Sequence, residues 1–250
     1  MAQPAVGHPL EPLFEGWQRG LAIVAHPDDL EFGAAAAIAR WTGQGKQIVY
    51  CLVTSGEAGI DAMAPAQARL VREAEQRAAA AVVGVEVVEF LSQPDGVIEY
   101  GVPLRRTLAR VVRRHRPEIV ITTNFRETWD GAVVLNQADH RATGWAVLDA
   151  VGDAGNRWVF PELLAEGLAP WGGVTQVWAA GSPDARHGVD VTATLALGVA
   201  SLRAHETYLR GLGSGAVDPE MFLAELGWAA GVRLGTQYGA AFEVFHCASR

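Results

Sequence analysis

The strongest constraint on the fold is an alternation of short apolar runs with longer stretches of helical spacing. The first apolar run covers residues 21–25, and a stretch with one apolar face follows from about Leu30 to Gly43. The predicted strands are residues 21–25, 47–54, 86–91, 119–123 and 174–180, and the main predicted helices are residues 30–43, 65–83, 104–115, 137–151 and 192–209. Such alternation is typical of βαβ units, so the sequence predicts an α/β fold with a mostly parallel sheet.

The regular pattern weakens in the C-terminal part of the sequence. Residues 152–173 contain Pro161, Pro170 and a Gly pair, which indicates an insertion beside the core, and residues after Gly211 show no clear periodicity. The chain contains no segment with the composition of an interdomain linker. We therefore expect one domain over residues 1–250, with its core at about 20–210 and a less regular C-terminal part.

Composition limits the class of partner and the compartment. The 250 residues carry 20 Lys and Arg against 28 Asp and Glu, a net charge of −8, which argues against binding to nucleic acid or to an anionic membrane surface. The two cysteines, Cys51 and Cys247, cannot form a disulfide framework. The N-terminal 16 residues lack the features of a signal peptide, and no apolar run is long enough to insert into a membrane. The sequence predicts a cytoplasmic protein.

The residues most indicative of chemistry lie where the first predicted strand ends. Residues 25–31 read Ala-His-Pro-Asp-Asp-Leu-Glu. In an open α/β sheet, ligands bind in the crevice beyond the carboxyl ends of the strands, so these polar side chains occupy a functional position. The Gly-rich fingerprint of a dinucleotide site does not follow this strand, which argues against a nicotinamide or flavin cofactor here.

The residue types in this segment suit a metal centre. Imidazole nitrogens and carboxylate oxygens are common zinc ligands, and a catalytic zinc usually has three protein ligands. His26 and Asp29 could supply two, and the pair Asp139-His140, after the fourth strand, is the best source of the third. Asp28 lies next to these ligands and could accept a proton from the attacking water.

Helix capping is the plainer explanation for the two adjacent aspartates. Asp is favoured at an N-cap and in the first turn of a helix. Capping accounts for one of the two residues, but it explains neither the preceding His26-Pro27 nor the second Asp-His pair at a similar junction. The functional interpretation is therefore favoured.

Four segments, in order along residues 21–151, resemble motifs of the PIG-L/LmbE family of zinc-dependent N-deacetylases, which is related to N-acetylglucosaminylphosphatidylinositol de-N-acetylase. These are residues 25–31 (AHPDDxE), residues 54–59 (TxGExG), Arg72 with Glu75 and Gly84 (the R-x-x-E helix), and Asp139-His140 (the end of HPDH). The resemblance implies a Rossmann-like three-layer sandwich. It also implies that zinc is held by His26, Asp29 and His140, with Asp28 as the general base.

The sequence departs from the family pattern at two places. Gln137 and Ala138 replace the His and Pro of the HPDH motif, and the glutamine amide can donate a hydrogen bond to an oxyanion but cannot act as an acid. Near the C-terminus the family often has a His followed three residues later by Gln. The corresponding residues here are His205 and Tyr208, so His205 is a candidate substitute for the missing electrophile. We also predict a catalytic role for Asp139.

Substrate contacts are expected in the loops beyond the strands, because binding residues concentrate there in such folds. Arg72 could reach a sugar hydroxyl or a phosphate. Trp129 could stack on a sugar face, although a buried structural role would also suit it. The other candidate contacts are Glu57, Asn124, Glu127 and Asp130.

The sequence thus predicts a hydrolase that removes an N-acyl group, most plausibly N-acetyl, from an amino sugar or a sugar-bearing metabolite. We expect one Zn²⁺ per chain, although His and Asp ligands also suit other divalent metals. One alternative is a non-catalytic metal-binding or ligand-binding protein on the same fold, which the altered Gln137-Ala138 motivates. Another is an amidase acting on a thiol conjugate. The sequence does not fix the oligomeric state, and a homo-oligomer is compatible with it.

Overall fold

The computed structural model describes residues 8–129, 134–215 and 217–247. The strands are β1 (Glu11–Pro12), β2 (Arg19–Val24), β3 (Gln47–Leu52), β4 (Val87–Phe90), β5 (Ile119–Thr123), β6 (Thr128–Trp129), β7 (Val134–Leu135), β8 (Gln176–Ala180), β9 (His187–Asp190) and β10 (Gly239–His246). The helices are α1 (Ala35–Gly43), α2 (Pro65–Val82), α3 (Val102–His115), α4 (Ala138–Gly155), α5 (Glu162–Ala165), α6 (Leu195–Arg203), α7 (Glu206–Gly211) and α8 (Pro219–Leu234).

Eight strands form the central sheet in the order β1-β9-β10-β8-β5-β2-β3-β4, and β6 pairs with β7 in a separate hairpin. Neighbouring strands are parallel except at β10, which is antiparallel to both β8 and β9. The predicted α/β fold with a mostly parallel sheet is therefore confirmed. Along the chain, β3 and β4 are added on one side of β2, and β5 is then added on the other side. The topological switch point of the sheet therefore lies between β2 and β5.

The two faces of the sheet bury separate apolar cores. Alternate side chains of β2 point to opposite faces, as the period of a strand requires. Leu21 and Ile23 pack with buried residues of α3 and α4. Ala22 and Val24 pack with α1 and with Trp178 of β8. The sheet thus lies between two layers of helices.

The segment after β2 is a run of turns rather than the first part of a helix. The amides of Glu31 and Phe32 donate to the carbonyl of Asp28, the amide of Ala34 donates to Leu30, and α1 begins only at Ala35. Asp28 has a positive φ of 82°, which is incompatible with a helix at that position. The prediction of a helix from Leu30 is therefore wrong by about one turn.

The C-terminal tail is more regular than its sequence suggests. Residues after Gly211 form α8 and then β10, which lies inside the sheet between β8 and β9. The expected core of residues 20–210 is therefore too short. The structure leaves Met221, Trp228 and Val232 of α8 exposed, so the helix has no purely polar outer face to reveal its period. The predicted helix over residues 192–209 is in fact α6 and α7, which meet at Ala204 and His205.

Among the described residues, no helix combines the length and the hydropathy needed to cross a bilayer.

Candidate functional site

Three predicted ligands meet at the switch point between β2 and β5. His26 and Asp29 follow β2, and His140 lies in the first turn of α4. His26 Nδ1 is 3.2 Å from His140 Nε2, and Asp29 Oδ1 is 2.9 Å from His140 Nε2. The potential ligand atoms of the three residues lie within 4.8 Å of one another, and all three residues are buried.

The other ring nitrogens have partners that define their protonation. His26 Nε2 faces two carboxylates, Asp95 Oδ1 at 3.1 Å and Asp139 Oδ2 at 3.3 Å, so this nitrogen carries a proton. His140 Nδ1 is 2.9 Å from Asn136 Oδ1. The amide nitrogen of Asn136 donates to two backbone carbonyls, which identifies Oδ1 as the acceptor and His140 Nδ1 as the donor.

These contacts leave two imidazole lone pairs directed at each other when both rings are neutral. His26 Nδ1, His140 Nε2 and the carboxylate of Asp29 lie within 4.8 Å of one another. Such an arrangement is repulsive by itself, but it suits a divalent cation that accepts two nitrogens and an oxygen. The donor set therefore fits the metal that the sequence predicts. A second group, His26 with Asp95 and Asp139, also lies within 4.8 Å, and its contacts orient the His26 ring.

Charge within the cluster shifts its titration strongly. Burial alone would lower the pKa of His26, but the carboxylate of Asp29 and the hydrogen bonds that His26 donates to Asp139 and Asp95 outweigh it and raise the pKa well above its usual value. Burial alone would raise the pKa of Asp29. The imidazoles of His140 and His26 outweigh this effect and hold the pKa far below its ordinary range.

Asp28 is held beside the cluster in a backbone conformation that few non-glycine residues adopt. Its φ is 82°, and its amide donates to Gln76 Oε1 at 2.9 Å. Arg72 Nη2 donates to Asp28 Oδ2 at 3.1 Å and also to the carbonyl of Pro27. Burial raises the pKa of Asp28 above its usual range, although the Arg72 guanidinium opposes this shift.

Two cavities open from the cluster, which we call the polar lobe and the apolar lobe. The polar lobe, about 190 Å³, is lined by His26, Ala58, Gly59, Arg72, Asp95 and Gly96. The apolar lobe, about 380 Å³, is lined chiefly by Phe32, Gly33, Trp129, Gly181, Phe222 and Leu226. Asp28, Asp29, Gln137 and Tyr208 line both lobes, so the candidate catalytic groups lie where the two cavities meet.

Several predicted site residues occupy these lobes. Gln137 is exposed at the junction, Arg72 lines the polar lobe and Trp129 lines the apolar lobe. Asp139 is buried, and its carboxylate accepts from the amides of Gly96 and Ile98 in addition to contacting His26. Through these contacts Asp139 orients the His26 ring, and the catalytic role that the sequence suggested stays a prediction.

Three other predicted residues do not reach either lobe. Asn124 is fully buried, its amide nitrogen donates to Thr128 and its oxygen accepts from Arg126, so it stabilises the loop instead of contacting substrate. Glu57 accepts from two backbone amides and pairs with Arg69 behind the polar lobe. His205 is also fully buried. Asp130 lies outside the described residues.

Tyr208, rather than His205, reaches the candidate site. His205 Nε2 lies 3.6 Å from Glu31 Oε2, within the protein interior. Tyr208 is one turn further along α7 and stacks under the Arg72 guanidinium at 3.9 Å. Burial and the Asp28 carboxylate raise the pKa of Tyr208, which keeps its hydroxyl protonated. The prediction for His205 is wrong because this residue lies at the start of α7, where its side chain is buried in the protein interior.

Sequence reasoning missed three supporting residues. Asp95, which the sequence analysis did not single out, contacts His26. Gln76 holds the Asp28 amide, and Asn136 fixes the His140 ring. Gln76 lies one turn after Arg72 on α2, and Asn136 one turn before His140. Gln76 and Asn136 could therefore have been found from the sequence by looking three or four residues away from each predicted site residue.

The fold and the site together define an α/β protein with a candidate metal centre at the switch point of its sheet. The family model described as PIG-L, GlcNAc-PI de-N-acetylase, matches residues 21–151, just over half of the chain, so the protein belongs to this family. The match confirms the predicted family. It also supports the predicted enzyme class, a hydrolase of C–N bonds other than peptide bonds.

Individual relatives extend the comparison. The diacetylchitobiose deacetylase of Thermococcus kodakarensis is 26% identical over 196 residues, which cover 78% of this chain and 71% of the relative. The N,N'-diacetylchitobiose deacetylase structure from Pyrococcus horikoshii superposes with a TM-score of 0.83 at 21% identity, covering 97% of this chain and 88% of that one. The 4-carboxy-2-hydroxymuconate hydratase GalB of Pseudomonas putida gives a TM-score of 0.73 at 20% identity, with 93% and 98% covered. The two structural matches show a shared fold.

Proposed function

We propose that the protein is a metal-dependent N-deacetylase that acts on an acetylated amino sugar or a sugar-bearing metabolite, with zinc as its metal. The observation that carries the proposal is the convergence of His26 Nδ1, His140 Nε2 and the Asp29 carboxylate beside a buried Asp28. Membership of the de-N-acetylase family and the amino-sugar substrate in the name of the Thermococcus relative support it.

His26, Asp29 and His140 would hold the metal. When bound, a divalent cation supplies Lewis acidity to a carbonyl oxygen and to an attacking water. Asp139 and Asn136 act on the far side of the two imidazoles, where each fixes the ring orientation and keeps the proton away from the ligating nitrogen.

Asp28 would perform the proton transfers. Its carboxylate accepts a proton as water attacks the acyl carbon, and it returns that proton to the amine nitrogen as the C–N bond breaks. The products are a free amine and a carboxylate. The Arg72 contact at 3.1 Å and the Gln76 contact to the Asp28 amide hold the base in one orientation throughout.

Neutral donors at the junction of the lobes would stabilise the oxyanion. Gln137 stands where the family has a histidine, and its amide group can donate one hydrogen bond. The protonated hydroxyl of Tyr208 lies at the same junction and can donate a second. Arg72 and Trp129 would contact the substrate from the polar and the apolar side respectively.

The fold alone does not determine the reaction, because a hydratase shares it. A non-catalytic binding protein is the principal alternative, and an amidase acting on a thiol conjugate is the other. Cytoplasmic localisation, the single-domain organisation and homo-oligomer formation stay predictions.

Metal analysis combined with an acetate-release assay tests the proposal. We expect one zinc per chain after reconstitution and release of acetate from N-acetylglucosamine or chitobiose derivatives. Removal of the metal with a chelator should abolish release, and added Zn²⁺ should restore it. One metal per chain without acetate release from any acetylated sugar in the panel would favour the binding protein. Turnover of acylated thiol conjugates alone would favour the amidase.

A further inference from the structure

The apolar lobe begins directly at the candidate metal cluster. The Trp129 ring stands perpendicular to the His140 ring, with 5.8 Å between ring centroids. Trp129 therefore forms an aromatic wall against one of the predicted metal ligands. A group that enters the lobe from the cluster meets this wall first.

The opposite wall comes from α8, which lies beyond the segment that the family model matches. Phe222 and Leu226 are one helical turn apart and both line the lobe. Phe222 packs edge-on against Phe32 with 5.5 Å between the ring centroids. Three apolar side chains from two distant parts of the sequence thus enclose the lobe on this side.

Two glycines keep the lobe open between these walls. A Cβ added at Gly181 would lie 3.8 Å from the Trp129 ring, and one added at Gly33 would lie 3.7 Å from Ala180 Cβ. Gly181 also has a positive φ of 68°, which favours glycine. Away from the cluster and the junction, the described lining residues of the lobe carry no charged side chain, and their polar side-chain groups are the Thr123 hydroxyl and the indole N–H of Trp129.

The two lobes differ in the chemistry they can accept. The polar lobe presents the Arg72 guanidinium and the Asp95 carboxylate, which suit the hydroxyl groups of a sugar. The apolar lobe offers twice the volume, about 380 Å³ against about 190 Å³, and its walls are aromatic and aliphatic. An acetyl methyl group would leave most of it unfilled. An amide bond cleaved at the junction has an amine side and an acyl side, and these two sides match the two lobes.

We propose that the apolar lobe is an acyl subsite and that the protein hydrolyses not only N-acetylated amino sugars but also, with higher kcat/KM, those whose acyl chain is longer than acetyl. Phe222 and Leu226 determine this selectivity. The inference rests on the proposed function and specifies its substrate. Water cleaves the amide bond, the amino sugar leaves through the polar lobe, and the free alkyl carboxylate leaves through the apolar lobe.

Kinetics on a series of N-acetyl, N-butanoyl and N-hexanoyl glucosamine test the proposal. Each added methylene that is buried should raise kcat/KM roughly fourfold, the factor that corresponds to about 0.8 kcal/mol. The variant Leu226→Asp should reduce the ratio of hexanoyl to acetyl kcat/KM by roughly tenfold or more. Met221→Asp is the matched control, because Met221 lies on α8 but is exposed and does not line the lobe, and it should leave the ratio unchanged.

Two further measurements separate the possible failures. Alkyl glycosides of N-acetylglucosamine carry the apolar chain on the amine side, and a gain with these glycosides that Leu226→Asp removes would overturn the acyl assignment. Binding of hexanoate against acetate to the metal-loaded protein, measured by calorimetry, does not depend on turnover. We expect hexanoate to bind at least tenfold more tightly. Acetyl hydrolysis without a gain in either experiment would overturn this inference alone, whereas hydrolysis of no acylated sugar would overturn the proposed function as well.

Discussion

Residues 21–151 and residues 152–247 contribute different parts of the candidate site. The first segment supplies the described members of the metal cluster, the adjacent Asp28 and the residues that orient them. The second supplies Tyr208 at the junction and Phe222 with Leu226 in the apolar lobe. The family model matches only the first segment. The proposed metal ligands and the proposed base thus lie on the first segment, whereas the α8 wall of the apolar lobe lies on the second.

Direct packing joins the two segments. Thr194 Oγ1 donates to the carbonyl of Ala36 at 2.8 Å, and Gly198 of α6 approaches Ala36 so closely that an added Cβ would lie 3.0 Å from its backbone nitrogen. Ser201 Oγ donates to the carbonyl of Ala79 at 2.9 Å. The second segment therefore rests on α1 and α2, which follow the two N-terminal motifs, and this contact brings α7 and α8 over the cluster.

The largest effect expected in the first segment is that of Asp28→Asn. Asn cannot accept a proton from water, so turnover should fall by about two orders of magnitude or more. The zinc content should stay at one per chain, because Asp28 is not among the three ligands. Turnover is measured by acetate release and zinc by elemental analysis. Near wild-type turnover would remove Asp28 from the role of base.

Asp139→Asn should weaken metal binding while leaving the ligands in place. Loss of one carboxylate opposite His26 Nε2 reduces the basicity and the alignment of that ring, so the Kd for Zn²⁺ should rise by roughly 10- to 100-fold. Competition with a chelating dye measures the change. Asp149→Asn is the control, because Asp149 lies on the same helix and bonds to Tyr100 instead of the cluster. Equal Kd values for the two variants would contradict the positioning role.

Gln76→Leu should show how far the two segments act together. Gln76 bonds to the Asp28 amide and to Glu31, and Glu31 in turn contacts Ser201 of α6. Without this bond the positive φ of Asp28 is less well held, and kcat should fall by about tenfold with a smaller change in KM. Gln67→Leu, at an exposed position of α2, serves as control. A rise in KM with an unchanged kcat would assign Gln76 to substrate binding instead.

The smallest effects concern stability and compare two glycines of the second segment, one in α4 and one in α8. A Cβ at Gly231 of α8 would lie 2.6 Å from the Gln237 carbonyl oxygen, so Gly231→Ala should destabilise the protein by about 1–3 kcal/mol. Gly152 of α4 has no atom within 4 Å of its added Cβ, so Gly152→Ala should stabilise it by about 0.5–1 kcal/mol. Urea unfolding measures both. Opposite signs are expected, and a shared sign would show that close packing at α8 does not limit stability.

Residues that lie close together in sequence were the ones that sequence analysis could place. The strand β5 was predicted with its observed limits, and α2 to within one residue, because each is a single apolar run or a long amphipathic stretch. His26 and Asp29 lie in one turn after β2, so a local motif captured both. Their position at a strand end made a ligand site the natural hypothesis.

Features that depend on packing could not be placed in the same way. Asn124 and His205 were predicted to reach the site, but the direction of a loop or a helix start decides which side chain is buried, and both are fully buried. The strand β10 was missed because it pairs with β8 and β9, which lie far from it in sequence. Residues 25–31 and the Asp139-His140 pair thus determined the family and the candidate chemistry from local spacing. The tertiary structure decided which tyrosine faces Asp28 and which helix encloses the apolar lobe, because these contacts join segments that only the packed sheet brings together.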